Sequence, residues 1–242
     1  MASLSLGAWR PLIRTVAGQG QVALTVDDAP TPEALPAMLD LLDQHRAKAT
    51  FFMSGFRALR ALDLVAETVR RGHAVYAHGW EHVRLDRCPI TRLAQDLERS
   101  EELLRRFRPT PRPYLIRLPY NGGYRNARIH RALEAWSPGC QIAHWQLSTE
   151  DHVIASKHST EADARAEIAT QVARLANSPN LANALLLMHD QPVNEVPDGG
   201  LKAWVTVELM RQLLEMLSAR GLASVAVTPR PSVPVWERFI LR

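Results

Sequence analysis

The sequence predicts an α/β fold in which about seven parallel strands form either a (β/α) barrel with fewer than eight strands or an open doubly wound sheet. Short apolar runs alternate along the chain with longer amphipathic segments. This alternation is typical of parallel strands joined by right-handed helical crossovers. The chain has 242 residues, 46% of them hydrophobic, and no linker, low-complexity tract or repeat divides it. We therefore predict a single domain over residues 1–242.

Seven apolar runs are the predicted strands. They are short, rich in β-branched or aromatic residues, and nearly continuous in apolar character. Strands that are buried on both faces of a sheet have this composition. The runs cover residues 22–26, 49–53, 74–77, 114–117, 141–147, 184–188 and 222–227.

Five amphipathic segments between these runs are the predicted helices. In the first of them Leu35, Met38, Leu39 and Leu42 recur at the spacing that places apolar side chains on one helix face. The other four segments lie at 90–107, 129–136, 168–175 and 201–217.

The charge pattern and the termini limit the classes of partner. Basic residues are mixed with acidic ones, and the formal net charge is only +4, which indicates solvated helix faces rather than a nucleic-acid interface. No apolar run approaches the roughly 18 residues that a membrane span needs. The first twenty residues lack the features of a signal peptide. We therefore expect a cytoplasmic protein without an integral membrane segment, acting on a small molecule or a carbohydrate.

The residues best suited to chemistry lie at the ends of the predicted strands. In parallel α/β folds the carboxyl ends of the strands open onto one face, and that face carries the active site. Asp27 and Asp28 follow the first strand, His78 follows the third, Arg117 ends the fourth, Asp151 comes just after the fifth, and His189 follows the sixth.

A metal site is predicted from Asp28, His78 and His82. The two histidines are four residues apart in HGWEH, so on a helical turn both imidazoles would face the same way. Two histidines and one carboxylate leave coordination positions open, as a catalytic zinc site requires. The alternative is that the histidine pair arises by chance on a surface helix.

The remaining strand-end residues suit acid–base chemistry. With Asp28 on the metal, Asp27 is free to act as a general base towards water, although an aspartate before Pro30 could also cap a helix. His189 could protonate a leaving nitrogen, with Asp151 holding its ring. Arg117 could orient Asp27 by a bidentate contact. The alternatives are a buried structural histidine and a structural ion pair.

Five motifs resemble those of carbohydrate esterase family 4, the polysaccharide deacetylases with a NodB-like domain. VALTVDDAP is similar to the opening T-F-D-D-G-P motif, HGWEH to H-[ST]-x-x-H, and RLPYNGG to R-x-P-Y-G. WQLSTEDH matches a motif that normally ends in Asp-Trp, and LLLMHD matches the closing hydrophobic-His motif. The matches occur in the family's order over about residues 20–230.

The resemblance implies a distorted (β/α) barrel, a divalent metal that is usually zinc, and removal of an N- or O-acyl group. It assigns the base to Asp27 and the acid to His189, with Arg117 and Asp151 supporting them. It assigns the metal to Asp28, His78 and His82. It also implies that the backbone N–H of Tyr120 helps to stabilise the oxyanion, a role in which fixed donors contribute strongly.

Several positions depart from the family pattern. Gly79 replaces Ser or Thr beside the first metal-binding histidine, which removes a hydroxyl, and Ser148 and His152 replace an acid and a Trp. Trp80, inside the metal motif, could stack on one sugar ring or close a compact pocket, and the alternative is that it packs in the core. With the absence of an export signal, this predicts a small or membrane-linked amino sugar as substrate rather than an extracellular polymer.

Three functions fit these residues. The first is deacetylation of an N-acetylated sugar. The second is another amide hydrolysis at the same metal site, by a deformylase or a cyclic-amide hydrolase. The third is carbohydrate binding without catalysis, which loss of Asp27 or His189 would have favoured.

Overall fold

The structure is a computed structural model that describes residues 10–108, 114–190 and 201–230. These ranges contain nine strands and eight α-helices. The strands are β1 (Leu12–Ile13), β2 (Gln21–Ala29), β3 (Ala49–Met53), β4 (Ala74–Ala77), β5 (Leu115–Ile116), β6 (Gln141–Ala143), β7 (Leu147–Ser148), β8 (Leu185–His189) and β9 (Ala223–Ser224). The helices are α1 (Leu35–Gln44), α2 (Gly55–Arg60), α3 (Leu62–Arg70), α4 (Ile90–Leu104), α5 (Ala127–Trp136), α6 (Asp151–Lys157), α7 (Glu161–Ala176) and α8 (Lys202–Ala219).

The strands form two sheets, and every pairing between them is parallel. The larger sheet has the order β4-β3-β2-β8-β7, with β9 paired to β2, and the smaller has the order β1-β6-β5. The predicted α/β class with parallel strands is therefore confirmed. Within the described ranges, the named strands do not pair from one sheet into the other, but an isolated antiparallel bridge between Thr15 and Ala184 links the end of β1 to the start of β8.

The two sheets enclose one shared apolar cluster. It contains one side chain from each of seven strands, β1 to β6 and β8, and all are buried. Sheets that face a common interior in this way give the layout expected of a distorted barrel. The cluster members on these strands are Ile13, Ala23, Phe52, Tyr76, Leu115, Ala143 and Leu185.

The helices cover the outside of the larger sheet. Leu35, Met38, Leu39 and Leu42 of α1 are fully buried, as their spacing predicts. They join a core cluster that also contains Val22, Leu24 and Val26 of β2, Leu186 and Met188 of β8, and four buried residues of α8. Along β2 and β8, some side chains face the barrel interior and their neighbours face the helices. Both faces of these strands are therefore buried.

The predicted strand 141–147 is divided in the structure. β6 pairs within the smaller sheet and β7 within the larger one, because the backbone changes partner between them. The Gln146 N–H already donates to the Leu185 carbonyl at 2.9 Å, while the rings of His144 and Trp145 stack at 4.8 Å in the break. The described ranges also contain β1, α2, α3 and α6, which the apolar pattern did not indicate.

No helix within residues 10–108, 114–190 and 201–230 has the length and apolar character needed to span a membrane.

Candidate active site

A pocket of about 240 Å³ opens at the carboxyl ends of the central strands. The structure brings six of the predicted site residues to its wall, whereas Arg117 and Asp151 lie buried behind it. The six are Asp27, Asp28, His78, His82, Tyr120 and His189.

A β-bulge turns the two neighbouring carboxylates into the same pocket. Asp27 is in register with Phe52 of β3, and Ala29 is in register with Met53, so Asp28 is the extra residue. Asp28 has a φ of 69°, in the left-handed region. Successive side chains of a regular strand point to opposite faces, and a bulge re-aims one of them. Neither aspartate caps a helix, because α1 begins at Leu35 with Ala34 as its N-cap.

The atoms predicted to bind metal lie at the separations that a small ion requires. Asp28 Oδ1 is 3.1 Å from His82 Nε2 and 3.6 Å from His78 Nε2. Donors held about 2.0–2.1 Å from a tetrahedral zinc ion lie roughly 3.3 Å apart. Burial alone would raise the pKa of Asp28, but the hydrogen bond with His82 and the electrostatic influence of the neighbouring histidines lower it to about 2. The residues present therefore fit a divalent cation.

A loop, and not the predicted helical turn, brings the two histidines together. Residues 78–84 are irregular, with φ of 77° at Gly79 and 54° at His82. His78 Nδ1 lies 2.8 Å from the carbonyl oxygen of Arg117. A protonated Nδ1 donating to this carbonyl fixes the ring and leaves Nε2 with its lone pair towards the metal site.

Gly79 is required by the shape of this loop. A Cβ at this position would lie 3.2 Å from Asp96 Oδ1 and 3.3 Å from both Leu85 and Pro119. Asp96 Oδ1 in turn accepts the Trp80 N–H at 2.8 Å. A Ser or Thr at position 79 would thus be crowded as well as strained, so the departure from the family pattern has a local cause.

We expect Gly79→Ala to lower the free energy of unfolding by about 1–3 kcal/mol, the usual cost of a side chain in a disfavoured backbone region. Gly221 is the matched control, because its φ is 66° and an added Cβ would meet nothing within 4 Å. Urea unfolding in the presence of a chelator measures both variants. Equal losses would show that the contacts around Gly79 add nothing to the backbone strain.

His189 is held as an imidazolium by Asp151. Asp151 Oδ1 lies 2.9 Å from His189 Nδ1, and Asp151 Oδ2 accepts the His189 backbone N–H at 2.5 Å. Burial lowers the pKa of His189, but the charge and hydrogen bond of Asp151 outweigh it and raise the pKa to about 9. The ring therefore carries a proton that it can donate at neutral pH.

Arg117 contacts Asp27 through one nitrogen, so the predicted bidentate contact is wrong. Its Nη1 donates to Asp27 Oδ1 at 2.7 Å and to Thr25 Oγ1 at 2.8 Å, while its Nε donates to the Ala143 carbonyl at 3.1 Å. The guanidinium is divided among three acceptors because it is packed between strands, 4.4 Å from the Phe52 ring centroid. It fixes one oxygen of Asp27, and the other faces His78 Nε2 at 3.7 Å.

Comparison with known proteins identifies the family. The sequence profile described as polysaccharide deacetylase matches residues 15–136, which is half of the chain. The chain belongs to the polysaccharide deacetylase family. This membership implies a divalent metal, and the Asp28–His78–His82 cluster has suitable donor atoms for one.

Related proteins cover different shares of the chain. It is 28% identical to a peptidoglycan-N-acetylglucosamine deacetylase of Bacillus cereus over 86% of either chain. It is 32% identical to a chitooligosaccharide deacetylase of Bradyrhizobium over 56% of this chain and 60% of that protein. The solved structure of the Bc1960 peptidoglycan N-acetylglucosamine deacetylase has a TM-score of 0.73 with 24% identity, covering 94% of this chain and 95% of that one. This likeness supports the deacetylase fold.

Four further residues of this deacetylase line the pocket, whereas Trp80 packs in the core, which was the alternative to a sugar contact. Trp80 is 7% exposed within the main core, with the Arg99 guanidinium 3.7 Å from its ring centroid, so it cannot stack on a sugar. Trp145 lies inside the predicted strand 141–147, so the apolar pattern offered no signal for its place in the pocket. The four additional lining residues are Asn121, Trp145, His152 and Leu187.

Asp190 is a buried residue near the site that the sequence analysis did not single out. Its carboxylate accepts the Thr31 N–H at 2.6 Å and the Thr31 hydroxyl at 2.8 Å, and its own N–H donates to the Asp27 carbonyl at 2.9 Å. Asp190 thus ties the chain that follows the bulge to the end of β8. An acidic residue directly after a buried strand, in LLLMHD, was the signal for it.

Proposed function

We propose that the chain hydrolyses the N-acetyl group of an amino sugar with a zinc ion held by Asp28, His78 and His82. The observation that carries this proposal is the meeting of three groups in one pocket: the metal-type donor cluster, the buried carboxylate of Asp27, and the protonated imidazole of His189. The names of the two relatives, which act on peptidoglycan N-acetylglucosamine and on chitooligosaccharides, support the acetyl group and the amino sugar.

The donor set favours zinc. Two imidazoles and one carboxylate, with open positions beside them, are typical of catalytic zinc sites in hydrolases. When bound, the ion supplies Lewis-acid polarisation of the acyl carbonyl.

In this proposal Asp27 accepts the proton of the attacking water. Arg117 donates to Oδ1, so Oδ2 remains as the atom that faces the pocket beside His78. As the water oxygen bonds to the acyl carbon, its proton passes to Asp27 Oδ2. We further propose that the backbone N–H of Tyr120, at the pocket edge with φ of 57°, donates to the developing oxyanion.

In this proposal His189 is the acid that releases the amine. Its Nδ1 is held by Asp151, so the proton available for transfer is on Nε2. When the carbon–nitrogen bond breaks, this proton passes to the leaving nitrogen, and the products are acetate and a free amino sugar.

The proposal is tested by measuring acetate release from N-acetylated chitooligosaccharides. We expect turnover with zinc, loss after chelation, and recovery when zinc is added back. Formate release from N-formyl sugars, with no acetate, would identify a deformylase instead. Binding of the oligosaccharide without release of either acid would identify a non-catalytic carbohydrate-binding protein.

The same assay bears on substrate size. The pocket of about 240 Å³ is smaller than the usual ligand site, which runs roughly 300–1,000 Å³, and suits one sugar ring beside Trp145. We therefore expect turnover on N-acetylated monosaccharides or nucleotide sugars as well as on oligomers. Turnover that climbs with chain length and vanishes on monomers would show a polymer enzyme and contradict the substrate predicted from the sequence. A cytoplasmic location also stays a prediction.

The Asp151–His189 pair predicts the alkaline limit of activity. The acid works only while His189 is protonated, so kcat/KM should fall as pH rises through about 9. Asp151→Asn removes the negative charge that raises this pKa, and burial then lowers it. The alkaline limb should therefore move from near pH 9 towards or below 6.5, the ordinary value for histidine. An unchanged pH–rate profile would remove Asp151 from this role.

A further inference from the structure

A second cluster of atoms suited to metal binding lies at the pocket, where His152 and His189 line the wall and Asp151 is buried behind it. Asp151, His152 and His189 each offer one ligand atom, and these atoms all lie within 4.8 Å of one another. Asp151 Oδ1 is 2.9 Å from His189 Nδ1 and 3.7 Å from His152 Nδ1. These separations bracket the roughly 3.3 Å expected between donors of a tetrahedral zinc ion. The donor set, two imidazoles and one carboxylate, is the same as in the first cluster.

His152 is the residue that completes this second cluster. Its Nδ1 is buried and has no hydrogen-bond partner within the described part of the chain, although it points towards Asp151. Its ring lies edge-on to the His189 ring, with centroids 5.3 Å apart. The side chain lines the pocket and is 32% exposed, so an ion can reach it from solvent. In the matching family motif this position is a Trp, which offers no ligand atom.

We propose that Asp151, His152 and His189 form a second, inhibitory site for a divalent cation such as zinc. Binding replaces a proton with the metal ion and changes no oxidation state. The ion takes the place of the proton between Asp151 Oδ1 and His189 Nδ1, the proton leaves to solvent, and His152 Nδ1 supplies the third bond. We expect the second ion to bind more weakly than the first, because two dications in one small pocket repel each other.

Occupation of this site would stop His189 from acting as an acid. With a metal on Nδ1 the ring is no longer an imidazolium, and the proton left on Nε2 is much harder to remove. This inhibitory consequence rests on the proposed function, whereas the binding itself rests only on the geometry of the cluster. Excess zinc should therefore inhibit an enzyme that needs zinc at its first site.

Zinc titration of chelator-stripped protein by calorimetry tests the binding. We expect the wild-type chain to bind one more ion than His152→Gln or His152→Trp. His158→Ala is the matched control, because His158 also pairs with a carboxylate, that of Glu167, and is partly buried outside the pocket. It should bind as many ions as the wild type. Binding of the first ion in the same titration shows that each variant is folded.

Equal numbers of bound ions in the wild-type chain and both His152 variants would overturn the site. Zinc inhibition is then measured for each protein relative to its own maximal rate. We expect His152→Gln to raise the zinc concentration for half-inhibition at least about tenfold, as loss of a metal-site partner does. If the extra ion binds but inhibition is unchanged, the inhibitory role is wrong. If the extra ion binds to a protein without deacetylase activity, the proposed function fails and the site stands.

Discussion

Replacing Asp27 with Asn is expected to lower kcat by about 10²–10⁴-fold, the usual contribution of a general base. Asn keeps the shape of Asp27, and its amide oxygen can still accept the hydrogen bond that Arg117 Nη1 donates at 2.7 Å. Its amide nitrogen, however, cannot take a proton from water. The bulge at Asp28 does not depend on the charge at position 27, so the metal content should remain that of the wild type.

Asp28→Asn is the matched control for this prediction. The two positions are adjacent, both are buried, and both line the pocket. Only Asp28 lies within hydrogen-bond distance of a histidine of the metal cluster, at 3.1 Å from His82. We therefore expect Asp28→Asn to lose metal and Asp27→Asn to retain it. Steady-state kinetics and metal analysis separate the two effects, and a kcat of Asp27→Asn within about threefold of the wild type would remove Asp27 from this role.

The position of the site could be predicted from the sequence because it depends on strand order alone. Parallel strands end at one face, so Asp27, His78 and His189 had to approach one another once their strands were recognised. The same reasoning identified Arg117 and Asp151, which lie behind the pocket. These predictions required no knowledge of the register between strands.

The geometry of the site could not be predicted, because it depends on register and on loop conformation. The bulge at Asp28 exists only in relation to β3, where Phe52 and Met53 are consecutive partners of Asp27 and Ala29. A spacing of four residues between His78 and His82 is compatible with a helical turn or with the loop observed. The observed loop has a φ of 77° at Gly79. A glycine permits this backbone conformation but does not require it, so the presence of Gly79 does not predict the loop.

The positions of the aromatic side chains around the site could not be predicted from the sequence either. Trp80 follows the strand candidate 74–77 and Trp145 lies inside the candidate 141–147, and neither placement indicates which ring reaches the pocket. Trp80 packs over Gly55, where an added Cβ would lie 2.3 Å from its ring, so it is buried by a contact between the start of α2 and the loop 78–84. Trp145 lies in the break between β6 and β7, where the backbone changes sheets, and it therefore reaches the pocket.

Removal of a metal ligand is expected to have the largest effect on this chain. In Asp28→Ala and His78→Ala the cluster keeps only two of its three donors. Loss of an outer partner of a metal ligand already weakens binding by about 10–100-fold, and loss of a ligand itself should cost more. We expect the wild-type chain to retain about one zinc ion after dialysis against zinc-free buffer, and both variants to retain almost none.

The activity of these two variants should fall to the background rate, and added zinc should restore little of it. His78→Ala carries a second consequence, because its Nδ1 contact with the Arg117 carbonyl, at 2.8 Å, is lost as well. His158→Ala, which changes a histidine outside the pocket, should keep both its zinc and its turnover. Elemental analysis and acetate release measure the two quantities on the same samples. If Asp28→Ala and His78→Ala hold zinc as the wild type does, the metal lies elsewhere and the assignment of Asp28, His78 and His82 is wrong.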